Sequence, residues 1–443
     1  LDSSSSVALR SNELIACGTG LYIHNCDGIE VSSNEVNADT GINLYTSTSV
    51  IVTSNQFLEC VTGVTVYSSA ATVEENIFED VTSYGIYVDS SNGGIHVLNN
   101  VMNDTNNGLK LWDSDGNEVR GNDISNATYG ISIELSANNI VTGNNVSFSN
   151  IGIKGHYCTG SIGGNNLTDC NEGVHVDYCN PLVIEDCTIV RCSVGINTYS
   201  SSGVVVQDND ISDCETGVRI YYTTSANVIN NEIDGGDNGI YVSGNNQCTV
   251  SSNDINGCSQ AGIFLSGTNN NVLTSNALIG CAITLEGSQS TYTSQTVPAS
   301  NTVNGKPVYY YAAMDMTSTA VPTDAGQVIL GNVTNGHISG LAIDNTTVAF
   351  LSGYSDHVTI DDCTFDNVTS VAVSLQSCHY FAVSHCDLIT CEKGVYLSFG
   401  NSNKVDNCTF TGCKEGVRID SGNNNRFIYN TISAGDTGMY LNG

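Results

Sequence analysis

A phrase of roughly 22 residues returns along almost the whole chain, and this period constrains the fold more than any other feature. Each copy has a Gly followed by an apolar, a polar and an apolar residue, as in Gly217-Val218-Arg219-Ile220. Apolar residues that alternate with a period of two indicate strands rather than helices. Within each block of copies the Gly recurs at steps of 21 to 23 residues, at Gly20, Gly41, Gly63, Gly85, Gly108, Gly130, Gly152, Gly173, Gly195, Gly217, Gly239 and Gly262, and again at Gly394, Gly416 and Gly438.

An Asn lies about eight residues before most of these glycines. A tight bend between two strands leaves backbone groups unpaired, and a buried Asn amide can donate to and accept from copies stacked about 4.8 Å away. We therefore predict a structural Asn column, formed by Asn12, Asn34, Asn55, Asn76, Asn100, Asn122, Asn144, Asn165, Asn209, Asn231, Asn253, Asn276 and Asn430.

The pattern predicts an all-β fold: a single-stranded, right-handed parallel β-helix of about 18 coils with about 22 residues each. Coils are expected over residues 1–285 and 326–443. The period breaks over 286–325, where Asn304-Gly305 is typical of a hairpin turn between short strands. This excursion, with its NTVNGKPVYYY segment, could be an interaction arm or a structural plug over one face of the solenoid.

Charge is strongly biased, with 12 Lys and Arg against 45 Asp and Glu and a net charge of −33. This balance argues against nucleic acid as a partner and against an anionic polysaccharide held in a basic groove. There is no apolar run of about 18 residues, so no membrane span is expected. A surface this acidic could attract cations, or it could serve only to keep the protein soluble.

The 18 cysteines follow the repeat, most of them at the Asn position or five residues after it. Residues in register on adjacent coils have Cα atoms about 4.8 Å apart, within the range that a disulfide requires. Coil-to-coil pairs, or a pair within one coil for Cys187 and Cys192, could therefore form; a buried ladder of free thiols is the alternative. The candidate disulfide cysteines are Cys158, Cys179, Cys170, Cys192, Cys214, Cys187, Cys258, Cys281, Cys386, Cys408, Cys391 and Cys413.

Eight Asn-x-Ser/Thr sequons are candidate glycosylation sites: Asn103, Asn126, Asn145, Asn166, Asn332, Asn345, Asn367 and Asn407. Some sequons arise by chance in a chain rich in Asn, Ser and Thr. Together with the cysteines they favour an extracellular or cell-envelope location.

The sequence indicates a metal site or a catalytic site less strongly than it indicates the repeat fold. His156, Cys158, His175 and Cys179, and the pairs Cys378-His379 and His385-Cys386, mix ligand types that bind zinc or copper, but their spacings match no closed zinc motif. A polysaccharide hydrolase site needs clustered carboxylates, a His and basic residues, and Asp361-Asp362, Gly336-His337 and Arg418 are the nearest matches in this chain. Their order along the chain differs from the order in such hydrolases. We predict no metal site, no cofactor, no catalytic residues and no enzymatic activity.

The Asn-x-Ile and Gly-Ile-x-Val elements resemble the parallel β-helix repeats of NosD-like periplasmic proteins and of archaeal cell-surface proteins. The NTVNGKPVYYY segment followed by AGQVILGN is similar to a segment of the archaeal members. The richness in Cys and the lack of polar caps resemble an envelope structural protein, such as a methanogen sheath or surface layer. The NosD resemblance would imply copper delivery, but the chain has four scattered Met and no Met/His cluster.

We therefore predict an extracellular structural protein that self-assembles into a sheath or surface layer, held by β-stacking and disulfides, with copies of itself and glycans as partners. One alternative is a polysaccharide-binding or -cleaving protein, which an ordered cleft of Asp with a basic residue would favour. The other is NosD-like copper or metal handling, which thiolate and imidazole ligation would favour.

Overall fold

The computed structural model describes residues 1–244, 247–433 and 435–442. These residues form parallel β-strands, one antiparallel hairpin and a single short helix, Gln289–Thr293. The predicted all-β parallel β-helix is therefore confirmed, as a solenoid of about 20 turns, slightly more than the sequence predicted. Two compact units divide the chain: Leu1–Cys214 with Tyr221–Asn227, and Glu215–Ile220 with Val228 onward.

The first unit repeats three strands per turn: a long strand that contains the Gly, a strand before the Asn and a short strand after it. The long strands are Glu13–His24, Glu35–Tyr45, Thr62–Tyr67, Tyr84–Asp89, Asn107–Trp112, Tyr129–Glu134, Ile151–His156, Glu172–Asp177 and Val194–Tyr199. The strands before the Asn are Ala8–Arg10, Glu30–Ser32, Val50–Thr53, Ala71–Glu74, Ile95–Leu98, Glu118–Arg120, Asn139–Thr142, Gly160–Gly163, Leu182–Glu185 and Val205–Gln207. The short strands are Gln56–Leu58, Ile77–Glu79, Val101–Asn103, Asp123–Ser125, Asn145–Ser147, Asn166–Thr168, Thr188–Val190 and Asp210–Ser212.

The second unit has the same three kinds of strand, and Thr216–Tyr221 and Asn227–Ile229 have residues in both units. Its long strands and their equivalents are Asn238–Ser243, Ala261–Ser266, Ile283–Glu286, Lys306–Ala312, Gln327–Gly331, Ala342–Gly353, Thr364–Gln376, Lys393–Ser398, Glu415–Asp420 and Thr437–Asn442. The strands before the Asn position are Thr249–Ser251, Val272–Thr274, His337–Ser339, Thr359–Asp361, Ala382–Ser384, Lys404–Asp406 and Arg426–Ile428. The short strands are Glu232–Asp234, Asp254–Asn256, Ala277–Ile279, Thr302–Val303, Asp387–Ile389, Thr409–Thr411 and Thr431–Ser433.

The Asn column is a ladder of side-chain amides. Asn55 is typical: its Nδ2 donates to the carbonyl of Val31 at 2.9 Å and to Oδ1 of Asn76 at 3.0 Å. The ladder therefore pairs backbone carbonyls that the bend leaves open. Most of the thirteen predicted residues are buried, whereas Asn12 is exposed and Asn430 is half-buried. The ladder also takes in Asn301, which sequence reasoning missed and which accepts from Asn276 Nδ2 at 2.8 Å.

The excursion forms part of the solenoid wall. Strand Thr302–Val303 pairs antiparallel with Lys306–Ala312, around the predicted turn at Asn304-Gly305. Lys306–Ala312 then pairs in parallel with Gln327–Gly331, so the Tyr309–Tyr311 run lies within a sheet. These two strand pairings make the hairpin part of the wall and not a projecting arm. The three predicted domain ranges stay predictions.

The eighteen cysteines form no disulfide with one another in the described structure, and all but Cys17 are buried. Cys158 Sγ lies 3.0 Å from Cys179 Sγ, in contact but beyond the S–S bond length of about 2.05 Å. Thiols also contact each other between Cys258 and Cys281, between Cys391 and Cys413, along Cys170, Cys192 and Cys214, and along Cys363, Cys386 and Cys408. The structure thus shows buried thiol ladders, which the sequence analysis gave as the alternative to disulfides. The coil-to-coil disulfides stay a prediction.

The proposed pairing within one coil is less favourable. Cys187 lies in the Asn column, with its Sγ 4.0 Å from Asn165 Nδ2, whereas Cys192 stacks with Cys170 and Cys214. Of the sequon residues, Asn103 and Asn332 are half-buried and the other six are exposed.

Candidate functional site

One face of the first unit brings two lysines and two histidines together with aromatic side chains. Outward positions of the long strands stack in register, so that Trp112, Glu134, His156 and Asp177 form one column. Successive side chains of a strand point to opposite faces, and the residues two positions earlier form a parallel outward column. We call this surface the charged aromatic face, made of Tyr87, Asp89, Lys110, Trp112, Tyr129, Ser132, Glu134, Lys154, His156, Glu172, His175, Asp177 and Asn197.

Glu134 lies at the centre of this face between two lysines. Its Oε2 accepts from Lys110 Nζ at 3.0 Å, and its Oε1 lies 3.3 Å from Lys154 Nζ and 3.0 Å from Ser132 Oγ. The Glu134, Lys110 and Lys154 side chains are only 12%, 15% and 21% exposed. Burial works to raise the pKa of Glu134, but the hydrogen bond from Lys110 and the charge of Lys154 outweigh it and lower that pKa. The group is therefore an ionised, partly desolvated cluster.

Aromatic rings cover both lysines. Lys110 Nζ lies 4.7 Å from the ring centroid of Trp112, and Lys154 Nζ lies 4.9 Å from that of Tyr129. Both separations are within the range of a cation–π contact. Trp112 is the only tryptophan of the chain. The face thus offers half-buried rings directly beside charged groups, a combination suited to sugar rings with hydroxyl groups at their edges.

His156 and Asp177 form a hydrogen-bonded pair next to this cluster. Asp177 Oδ2 lies 2.8 Å from His156 Nδ1, and the two side chains are 18% and 30% exposed. A carboxylate only accepts, so Nδ1 carries the proton and Nε2 is the nitrogen that can exchange one with a ligand. The other oxygen, Asp177 Oδ1, is buried without a hydrogen-bond partner among the described residues. An oriented imidazole of this kind can act as a general acid or base.

A second histidine extends the face by one turn. His175 Nδ1 contacts Glu172 Oε2, and Asn197 Nδ2 donates to Glu172 Oε1 at 3.0 Å. At the opposite end of the face, Tyr87 donates to Asp89 Oδ2 at 3.1 Å. Burial, followed by the nearby Asp89 charge, raises the pKa of Tyr87 to about 12.

The predicted Cys and His group is not brought together as a metal site. His156 and His175 lie on the outward face, whereas Cys158 and Cys179 are buried. The strand Ile151–His156 ends at His156, and Tyr157 has a positive φ of 49°, so the chain turns a corner between His156 and Cys158 and the two side chains point to opposite sides. His385 and Cys386 are separated in the same way, with the imidazole half exposed and the thiol buried.

The acidic pair Asp361-Asp362 lies beside His385, and not beside His337 or Arg418 as a hydrolase site would require. Asp361 Oδ1 lies 2.8 Å from His385 Nδ1, and with Asp362 these form a group whose ligand atoms lie within 4.8 Å. His337 is two positions out of register with Asp361, since Ser339 is the residue paired with it. Arg418 is bound to Asp420, at 3.0 Å, and not to this group.

Sequence reasoning missed the charged aromatic face. The signal was present, because Trp112, Glu134 and His156 are separated by 22 residues each. Writing the chain in rows of one turn would have aligned them. Counting basic residues over the whole chain hid the fact that folding collects two lysines and two histidines on one face.

A family model described as "Periplasmic copper-binding protein (NosD)" matches residues 1–157, 129–311 and 288–443. These matches cover the whole chain, so the protein belongs to the NosD family. The family's description is periplasmic, in keeping with the predicted envelope location. No helix within the described residues is long and apolar enough to cross a membrane. No curated protein matches the chain.

Solved structures with a similar chain path include tailspike protein 3 of bacteriophage CBA120, with 10% identity and a TM-score of 0.32, over 86% of this chain and 56% of that one. The catalytic domain of a GH87 α-1,3-glucanase matches with 10% identity and a TM-score of 0.32, over 93% and 63%. The periplasmic alginate epimerase AlgG matches with 11% identity and a TM-score of 0.30, over 86% and 78%. Such scores carry no argument about the function of this chain.

The prediction of no enzymatic activity is nevertheless wrong as it was made. The solved structures found by this comparison include catalytic domains of GH87 α-1,3-glucanases and a periplasmic alginate epimerase. The prediction rested on the wrong order of the candidate residues along the chain and on the sparse basic residues, whereas the charged aromatic face brings two lysines to one carboxylate.

Copper, which the family description names, fits the described residues poorly. Soft Cys and Met ligands select cuprous copper. The only group of three or more potential ligands among the described residues is Asp361, Asp362 and His385, which has carboxylates and one imidazole already engaged with Asp361. The contacting thiols are buried pairs and rows in the core. No functional step is assigned to copper here.

Proposed function

We propose that this protein is an envelope polysaccharide-binding protein that acts on the bound glycan at the charged aromatic face. The observation that carries the proposal is the Lys110–Glu134–Lys154 cluster, stacked beneath Trp112 and Tyr129. In a chain with 12 basic residues among 443, two lysines held around one desolvated carboxylate are costly unless the site is used.

The rings and the charged groups have complementary roles in this proposal. Trp112 and Tyr129 supply apolar surface for sugar rings, and the lysine ammonium groups and Glu134 carboxylate bind sugar hydroxyls. The face is an unbroken run of turns about 4.8 Å apart, so an extended polymer can follow it across several turns.

His156 is the proposed proton-transfer group. Asp177 fixes its ring, and its register neighbour Glu134 places a second ionisable group one turn away on the same column. Glycan cleavage and proton exchange both use a pair of ionisable groups beside the reacting bond, one as the acid and one as the base.

Binding can be measured through Trp112, because a single tryptophan makes the intrinsic fluorescence specific for this face. We expect a saturable change in its emission with one of a panel of neutral and uronate-containing polysaccharides. Tyr129→Ala should weaken that binding about tenfold, a loss of about 1.4 kcal/mol. Ile140→Ala, at an exposed residue of the strand Asn139–Thr142 in the other sheet of the first unit, should leave it unchanged.

Turnover is tested by analysing the same polysaccharides for shortened or altered products. His156→Gln should abolish product formation while keeping the fluorescence titration, since the side chain is proposed to transfer protons and not to hold the polymer. The absence of any fluorescence change across the panel would contradict the proposal, as would equal turnover by the wild type and His156→Gln.

A second proposal retains self-assembly of the chain into a sheath or surface layer. The observation that favours it is a row of exposed tyrosines at one corner of the first unit, with Tyr157, Tyr178 and Tyr222 at 53%, 44% and 52% exposure. Exposed apolar rows of this kind mediate protein contacts. Electron microscopy before and after strong reductant tests it: tubes or fibres that loosen with reductant support it, and a monodisperse monomer unchanged by reductant contradicts it.

A further inference from the structure

A cleft opens in the second unit where the column of long strands is interrupted. Up to strand Ile283–Glu286 the ladder is regular, with Ile263 and Phe264 paired to Ile283 and Thr284. On the other side of Ile283 the side chain of Gln327 takes the place of a strand: its Oε1 accepts from Ile283 N at 3.0 Å and its Nε2 donates to Ile283 O at 2.7 Å. A side-chain amide thus satisfies the backbone without continuing the sheet.

The result is a cleft of about 590 Å³. This volume is within the range of about 300–1,000 Å³ that small-molecule sites occupy. We call it the split-sheet cleft. Its aromatic lining includes Phe264, Tyr396 and Phe399, and its polar lining includes Gln260, Gln376 and Glu286.

The cleft is held rigidly from below. Tyr292 is 1% exposed, and its hydroxyl hydrogen-bonds to the Leu285 carbonyl at 2.7 Å and to Gln376 Oε1 at 2.8 Å. Gln376 Nε2 donates in turn to Gly287 O at 3.2 Å. A site whose lining is fixed by buried hydrogen bonds loses little entropy when a ligand binds.

We infer that the split-sheet cleft binds a neutral saccharide of one to a few sugar units. Amide and hydroxyl groups beside aromatic rings suit the hydroxyl-bearing edges and apolar faces of a sugar. Among the described residues that line the cleft, Glu286 is the one charged residue, and none of them is a basic residue that could hold a phosphate or carboxylate. The net charge of −33 also disfavours an anionic ligand.

This inference does not depend on the charged aromatic face, because the cleft is built from residues of the second unit alone. The two sites can therefore fail separately. Loss of binding in a variant of the face would leave the cleft intact, and the reverse also holds.

The test uses the full chain and isothermal titration calorimetry with millimolar nigerose, maltotriose and cellotriose, together with saturation-transfer NMR of each sugar. We expect saturable binding of at least one sugar, weakened about tenfold by Phe399→Ala. Phe148→Ala is a matched control in the first unit: Phe399 and Phe148 are 63% and 62% exposed, and both have a positive φ, 56° and 51°. The control should bind as the wild type does.

Two results would overturn the inference. One is the absence of heat and of saturation transfer with all three sugars. The other is binding that Phe399→Ala leaves unchanged while Tyr129→Ala in the charged aromatic face removes it, which would place the saccharide on that face instead.

Discussion

The charged aromatic face and the split-sheet cleft arise on equivalent strands by opposite routes. On the face, Trp112, Glu134 and His156 occupy register positions of an unbroken parallel ladder, and only the outward side chains differ from turn to turn. At the cleft the ladder itself is interrupted beside Ile283, and Gln327 replaces the missing backbone partner. A solenoid can therefore acquire a site by substitution alone or by breaking its repeat, and only the second route leaves backbone groups to satisfy.

The two sites also differ in electrostatics. The face concentrates lysine, histidine and carboxylate groups that bind each other, whereas Glu286 is the single charged residue among the described residues that line the cleft. Charge can be accommodated on an intact sheet because its neighbours are fixed at regular spacing. The cleft instead depends on buried neutral hydrogen bonds, so we expect the two sites to respond differently to substitution and to pH.

The largest effect is expected for Gln327→Met. Gln327 is fully buried, and the change leaves the N–H and C=O of Ile283 without partners. At about 1–3 kcal/mol for each unsatisfied buried group, the free energy of unfolding should fall by about 2–6 kcal/mol. Urea unfolding followed by circular dichroism measures this change.

Gln56→Met, at an exposed Gln of a short strand, is the control and should stay within about 0.5 kcal/mol of the wild type. A loss below about 1 kcal/mol for Gln327→Met would mean that water or rearranged backbone substitutes for the amide, and the contrast between the two routes would disappear.

A smaller effect is expected for Glu134→Gln. It leaves Lys110 and Lys154 facing each other without a carboxylate, and the partial exposure of these groups reduces the cost to about 1–2 kcal/mol at neutral pH. The pKa of Glu134 is lowered below its usual 4.5, so this stabilisation is present above that pH and is lost as the pH falls through the lower, folded-state value.

Unfolding measured from pH 7 down to pH 3 checks the sign of this dependence. The difference between the wild type and Glu134→Gln should shrink as the solution becomes acidic. Glu30→Gln, which breaks an exposed pair with Arg10, should show a much smaller difference. A difference that grows on acidification would contradict the ionised state of Glu134.

These differences also explain which features the sequence could predict. The repeat dictates strands, the bend amides and the buried thiols, because each depends on a residue type that recurs once per turn, as Asn55 and Asn76 do. The charged aromatic face was recoverable in principle, since Trp112, Glu134 and His156 keep the same 22-residue spacing. It was missed because Lys110 and Lys154 each occupy an outward polar position of a regular repeat, and neither residue differs from the repeat pattern by itself.

The cleft could not be recovered in this way. Gln327 reaches Ile283 across 44 residues, through a stretch where the period fails, so no spacing rule connects the two. Tyr292, which supports the cleft from a short helix, also belongs to no column of the repeat. Sites that arise by breaking a repeat lie where repeat-based reasoning has no register to follow.

The smallest effect is expected for Asp89→Asn, at the end of the charged aromatic face where Tyr87 lies. Burial, followed by the Asp89 charge, raises the pKa of Tyr87 to about 12. Asp89→Asn removes the charge but keeps the burial, so the pKa should fall part of the way towards 10. NMR titration of ¹³C-labelled tyrosine, with the Tyr87 signal assigned through Tyr87→Phe, measures both values. An unchanged pKa in Asp89→Asn would contradict a contribution of the Asp89 charge.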